Sequence, residues 1–408
     1  MVDGTAGNGA RPGALDRWRR EAAELGARPD ALGRAAQWLW AHPAALLLPA
    51  AAIGPGLFGA AIPGGDAGWF REAGRSMLGS DMLDVFSSSG LQIGPLYLLL
   101  VGVLAAVVDV VGLPVLFMVA AVQSVALAAY ALYLAGRWAD AWGAPRLAAQ
   151  WGVVTPVVFL GVLAESIGIG HPEELFLGLA LAHLVLLVRS ASTVRGGALL
   201  GVAVAVKLWA VLGAPLVLLR RGWRPVVVVG VLSATIAAAA YGPFYLFGDA
   251  RTFEFTWGSG LQPFGIPLEH LALGGWALRL VQAAVVVAVT SAVAWWWPGT
   301  GLPAVLVLVA TRIVLDPLLQ TYYTIPFVVV GLLWAWTTPR RPGALGRLAT
   351  WPGVLLAMVG PYLVEYPLRV GPTHVAMVVL TVLVVRRDRA VACAAPPERA
   401  TNEVSARP

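Results

Sequence analysis

Long apolar runs alternate with short wet breaks along the chain, near 42–61, 91–111, 113–135, 147–167, 173–188, 196–219, 225–247, 272–297, 301–316, 318–336, 349–365 and 371–385. As helices, runs of this length suit a hydrocarbon core about 30 Å thick. The pattern therefore predicts an all-α, polytopic transmembrane helix bundle of about twelve spans. Between the first two runs lies the most polar internal stretch, Ile62 to Tyr97, with Asp66, Arg71, Glu72, Arg75, Asp81 and Asp84. From Asp66 onward its spacing is helical. Trp69, Phe70, Ala73 and Met77 share one face, and Arg71, Glu72 and Arg75 the other. Such a helix would lie in the membrane interface, aromatic residues down and charges up. Asp66 opens it, just after Pro63-Gly64-Gly65. An N-cap satisfying orphan amides is the plain explanation of that aspartate, and a catalytic carboxylate is the other.

Composition agrees with the pattern. Apolar residues make up 59% of the 408, charged residues only 12%, and mean hydropathy is +0.77, far from an ordinary soluble domain. A single cysteine, Cys393, excludes an internal disulfide framework and a cysteine-based metal site. The net charge of +6 is not a nucleic-acid signal, because the arginines cluster at the ends of apolar runs, where positive charge fixes topology. Residues 1–37 read as a polar cytoplasmic leader, 38–386 as the membrane domain with outer loops at 62–90 and 248–271, and 387–408 as a disordered cytoplasmic tail. Placing Arg220, Arg221, Arg224, Arg340, Arg341, Arg347, Arg386, Arg387 and Arg389 inside puts both loops on the periplasmic side of a plasma membrane. Gly201, Lys207 and Pro215 mark 196–219 as a broken, re-entrant pair of half-helices.

Four further polar groups interrupt the apolar runs. His171, Glu173 and Glu174 open a span behind Pro172. They are either acids favoured by the helix dipole or sugar contacts. Lys207 lies mid-run in GVAVAVKLWAVLGAP. At that depth an ionisable group needs a partner and marks function, unless it snorkels to a headgroup. Arg312 and Asp316 are spaced i,i+4 in TRIVLDPLLQTYY, which suits a local ion pair or an arginine held by Asp316 and aimed at a phosphate. Tyr322 and Tyr323 follow closely enough to line the same cavity. In the loop 248–271, Trp257 and His270 sit among hydrogen-bonding residues, a mixture that suits sugar binding. A divalent metal held by Asp66 with Glu173 or Glu174 stays open as an alternative, although no cofactor is required.

Three stretches carry a resemblance: GGDAGWFREAGRSML, GALLGVAVAVKLWAVLGAPLVLLRRGWR and ATRIVLDPLLQTYYTIPF. In order and spacing they resemble the GT-C superfamily of membrane glycosyltransferases. They are similar in particular to actinobacterial proteins related to glycosyltransferase family 87, the polyprenol-phosphate-mannose-dependent α-mannosyltransferases. The resemblance implies that a sugar moves from a polyprenyl-phosphate donor to a glycolipid or glycan of the cell envelope, on the outer face. It also implies that Asp66 is the general base. The chemistry then asks for a cation on the departing phosphate, Arg312 or Lys207, and for acceptor or sugar contacts from His171, Glu173, Glu174, Trp257, His270, Asp316, Tyr322 and Tyr323. A transporter or flippase for a lipid-linked sugar, built around Lys207 at the midplane, is the competing class.

The topology is directly testable. With Cys393→Ser as background, Ser88→Cys and Ser259→Cys should each react with a membrane-impermeant maleimide in intact cells. Protection of either would refute the outward placement of the two loops.

Overall fold

The computed structural model describes residues 31–61, 66–255, 275–296, 299–316, 320–338 and 370–393, and these are predominantly helical, with no strand among them. In chain order the helices are α1 (Ala31–Ala41), α2 (Pro43–Ala61), α3 (Asp66–Ser76), α4 (Pro95–Val111), α5 (Val115–Trp142), α6 (Arg146–Phe159) and α7 (Val162–Ile169). They continue as α8 (Pro172–Arg189), α9 (Thr193–Val206), α10 (Trp223–Phe247), α11 (Gly275–Trp296), α12 (Leu302–Val314), α13 (Ile325–Thr337) and α14 (Val370–Cys393). Short 3-10 segments at Met82–Ser87, Leu208–Leu219, Thr252–Glu254 and Thr321–Thr324 join them.

The all-α membrane bundle is thus observed, with elements shorter than the apolar runs suggest. Among the described residues, α5, α10 and α11 are by themselves long and apolar enough to cross a bilayer. Two bent pairs, α1 with α2 (82°) and α6 with α7 (44°), bring the total to five. The run 147–167 is not one rod: Leu160 and the left-handed Gly161 (φ +88°) part α6 from α7. Several other runs form helices of 10–17 residues, at 1.5 Å per residue short of a full crossing. The run 196–219 is broken, as expected, but at Lys207 rather than at Gly201 or Pro215. Lys207 is extended (φ −159°, ψ 124°) between α9 and the 3-10 segment Leu208–Leu219. Gly201 stays inside α9, where a Cβ would come within 2.7 Å of Ile236 on α10. The run 349–365 lies outside the described residues.

A large apolar core runs through α5 to α9, α12 and α13, with Trp138, Trp334 and Phe327 among its fully buried side chains. A smaller one joins Phe70 of α3 and Met77 just beyond its end to Tyr97, Leu98 and Val101 of α4. α3 forms where its periodicity predicts: Phe70 and, just past its end, Met77 are buried, and Glu72 and Arg75 face out, but Trp69, expected on the apolar face, is exposed. Arg75 also reaches across to pair with Asp109 at the end of α4. The same surface thus fixes α3 by packing on one side and an exposed ion pair on the other.

Gly170 sets the position of α3 against the rest. Its φ of +98° ends α7, and a Cβ there would lie 2.2 Å from the amide nitrogen of Ala67. Only glycine allows the α7–α8 turn this close to the start of α3. Gly170→Ala should therefore destabilise the detergent-solubilised protein by at least ~2 kcal/mol, from left-handed strain plus a backbone clash. Gly230→Ala, in an open position on α10, should be neutral or slightly stabilising. Thermal melts of the two variants beside wild type test the contrast.

Candidate active site

Where α3, the α7–α8 turn and the Lys207 break meet, the side chains form a continuous chain of charges. Asp66 Oδ2 lies 2.7 Å from His171 Nε2, and His171 Nδ1 lies 2.6 Å from Glu173 Oε1. Lys207 Nζ donates to Glu173 Oε1 and to Glu174 Oε1, both at 2.8 Å. Trp209 Nε1 donates to the same Glu174 oxygen at 3.2 Å, and Arg312 Nη2 stands 3.8 Å from it. Local structure delivers each group. Pro172 starts α8 with His171 just outside it, which puts Glu173 and Glu174 in the first turn. The extended backbone at Lys207 ends α9 where its ammonium can reach both of them. Gly94, whose amide donates to Val206 O at 2.8 Å, holds α4 against that same end.

Burial grades along the chain. The side chains of Glu173 and Glu174 are fully closed off, those of His171, Lys207 and Arg312 nearly so, and that of Asp66 is 43% exposed. Aromatic rings wall the cluster. His171 stacks on Tyr322 with centroids 3.8 Å apart and meets the edge of Phe70. The Arg312 guanidinium lies over Trp209 at 4.2 Å and Tyr323 at 4.7 Å. Burial pushes the His171 imidazole towards its neutral form, and Lys207 works the same way. The negative charge of Glu173 and the hydrogen bonds of Asp66 and Glu173 outweigh both, so its pKa is raised.

Asp66 is not a simple cap. Among the described residues its carboxylate bonds the imidazole and no backbone amide. Glu173 and Glu174 face Lys207, so the counter-charge this pair needs is supplied by a side chain. Among the described residues no cluster of three or more His, Cys, Asp or Glu has metal-binding form. Asp316 pairs with Arg279 on α11 at 2.8 Å. Gln282 of the same helix donates to the Arg312 carbonyl at 2.6 Å. The arginine of the TRIVLD stretch therefore turns to Glu174 and its aspartate to another helix. Trp257 and His270 lie outside the described residues. Sequence reading passed over Trp209, Arg279 and Gln282. Arg279 carried a usable signal, an ionisable residue inside an apolar run, the same one that singled out Lys207.

Beside Ala67 opens a small cleft of about 40 Å³, lined by Ala67, Arg71, Tyr97, Gln123, Ile167 and Gly170 among other residues. Its wall is largely apolar, and Arg71 forms no hydrogen bond or ion pair among the described residues.

Comparison with known proteins adds one match, over a part of the chain. Residues 73–221 match the family model of the alpha-(1->6)-mannopyranosyltransferase N-terminal domain. No curated protein matches the chain. On a bundle of apolar helices, this mannosyltransferase-family domain supports a membrane glycosyltransferase, in line with the likeness read from the sequence. The matched segment holds His171, Glu173, Glu174, Lys207 and Trp209. Asp66 stands seven residues before it and Arg312 well after it.

The ion chain predicts a severe phenotype at its centre. Lys207→Met strands two buried carboxylates and should cost about 3–5 kcal/mol, read as a lower melting temperature or loss of monodisperse protein in detergent. Adding Glu174→Gln to Lys207→Met should recover part of that loss. A Lys207→Met protein as stable as wild type would show that the pairs do not hold the fold.

Proposed function

We propose that the protein transfers a hexosyl group, mannose by its family likeness, from a polyprenyl-phosphate donor to a hydroxyl of an envelope glycolipid or glycan. The site is taken to face the extracytoplasmic side of the plasma membrane. The observation that carries this reading is the position of Asp66. It is the open end of an otherwise buried chain of charges, and its neighbour Ala67 lines an apolar cleft bearing a cation. A lipid phosphate has the matching form, an apolar tail with an anionic head.

In the proposed reaction the acceptor oxygen bonds to the anomeric carbon as the bond from that carbon to the phosphate oxygen breaks. The bonding electrons leave with the phosphate, and the acceptor proton passes to Asp66. A positioned carboxylate base contributes typically ~10²–10⁴-fold. Arg312, whose buried Nη1 finds no hydrogen-bond partner among the described residues, and Arg71 in the cleft are the cations offered to the phosphate. In this reading Tyr322 and Tyr323, whose rings lie against His171 and Arg312, border the sugar site. The transporter alternative needs an open midplane charge. The Lys207 ammonium is occupied by two carboxylates, which argues against it.

Membranes carrying the protein, incubated with radiolabelled polyprenyl-phosphate mannose, should yield a labelled product. Asp66→Asn keeps shape and capping ability and should lower turnover by about two orders of magnitude or more with donor binding retained. Asp84→Asn in the same loop should be mild. Arg312→Lys should also impair transfer, because a point charge does not reproduce the planar fork. Wild-type turnover in Asp66→Asn would remove it as the base.

A further inference from the structure

His171 stands between two carboxylates, with one ring nitrogen on each, at 2.7 Å from Asp66 and 2.6 Å from Glu173. A neutral imidazole has one N–H and serves one such acceptor. An imidazolium serves both. Charge balance points the same way. Asp66, Glu173 and Glu174 carry three negative charges, and Lys207 and Arg312 carry two positive ones, so a protonated His171 brings the cluster to zero. Low-dielectric surroundings favour that neutral sum. The ring is also fixed in plane, stacked on Tyr322 and edged by Phe70.

From this we infer that His171 is a positioning residue of the transfer reaction, an imidazolium clamp that holds Asp66 Oδ2 and leaves Oδ1 to accept the acceptor proton. The inference rests on Asp66 being the base. The clamp orients the carboxylate, as a third group orients the base in a hydrolytic triad. It also ties the base to the buried cations. When Asp66 takes the proton, the neutral cluster becomes singly positive in the same step that sends an electron pair to the leaving phosphate. The charge change at the base thus has the sign that favours the departing anion.

The groups facing the imidazole are Asp66 and Phe70 of α3, Glu173 of α8, Lys207 at the α9 break and Tyr322 ahead of α13. Two carboxylates against one ammonium raise its pKa above the ordinary value of about 6.5. The clamp is therefore present at low and neutral pH and lost as pH rises through that raised pKa.

Turnover of radiolabelled polyprenyl-phosphate mannose at saturating donor, followed from pH 6 to pH 10 in wild-type and variant membranes, tests this. Wild type should show an alkaline decline beginning above about pH 7. His171→Gln keeps one donor and no charge. It should lower kcat by about 10- to 100-fold, the cost of a misaligned base, and abolish the decline. Glu173→Gln, which leaves Lys207 paired with Glu174, should move the decline to lower pH because the imidazolium loses one counter-charge. This second variant keeps the test decisive where His171→Gln does not fold. An alkaline decline unchanged in either folded variant, or full kcat in His171→Gln, overturns the clamp. If Asp66→Asn is inactive while both declines stay put, the clamp alone fails. If Asp66→Asn is fully active, the base reading fails first.

Discussion

Glu173 and Glu174 share one apolar interior with Lys207, Arg312 and His171, Asp66 reaches in from a half-exposed position, and the helices around them keep each charge within reach of its opposite. An unpaired ion there costs several kcal/mol. Two opposite charges about 4 Å apart recover about 4 kcal/mol at an effective dielectric of 20. The pairs therefore roughly break even, and the cluster is tolerable only when complete. Lys207 is its hub, since among the described residues it alone bonds both buried glutamates. What the cluster contributes is a fixed meeting point for α3, α8, α9 and α12 more than stability.

The backbone irregularities have a common reason. Gly161 and Gly170 take left-handed conformations at the two ends of α7, and Lys207 is extended between two helical segments. Unbroken rods would carry Asp66, His171 and Lys207 past one another on separate faces. The breaks cost helical hydrogen bonds, and polar groups gathered at one point accompany them. Irregular backbone inside an apolar bundle is expected where it lines a site.

Exposure along the charge chain gives it a direction. Glu173 and Glu174 are sealed, while Asp66 is half-exposed and its neighbour Ala67 lines the cleft that Arg71 shares. A half-exposed carboxylate anchored through His171 to a buried ion pair is both accessible and held in one orientation, as the proposed base requires. Arg312, wedged between Trp209 and Tyr323, is oriented from behind in the same way.

The sequence by itself determined the class of the molecule, since apolar runs of span length leave little besides a membrane helix bundle. It also determined α3, because Asp66 at its start and the helical spacing of its apolar and charged residues are local signals. Lys207 stood out as a lone charge in an apolar run, and a break in that run was legible. Only the tertiary structure decided the partners. The bond from Asp66 to His171 joins residues 105 apart in sequence, and those from Lys207 to the glutamates join residues 34 and 33 apart. Helical periodicity reports neighbours three and four positions away. It therefore suggested Asp316 for Arg312, whereas the folded chain gives Glu174 to Arg312 and Arg279 to Asp316. Which ions meet across a bundle is set by helix crossings and close glycine contacts, such as Gly170 against Ala67, and no local pattern encodes those.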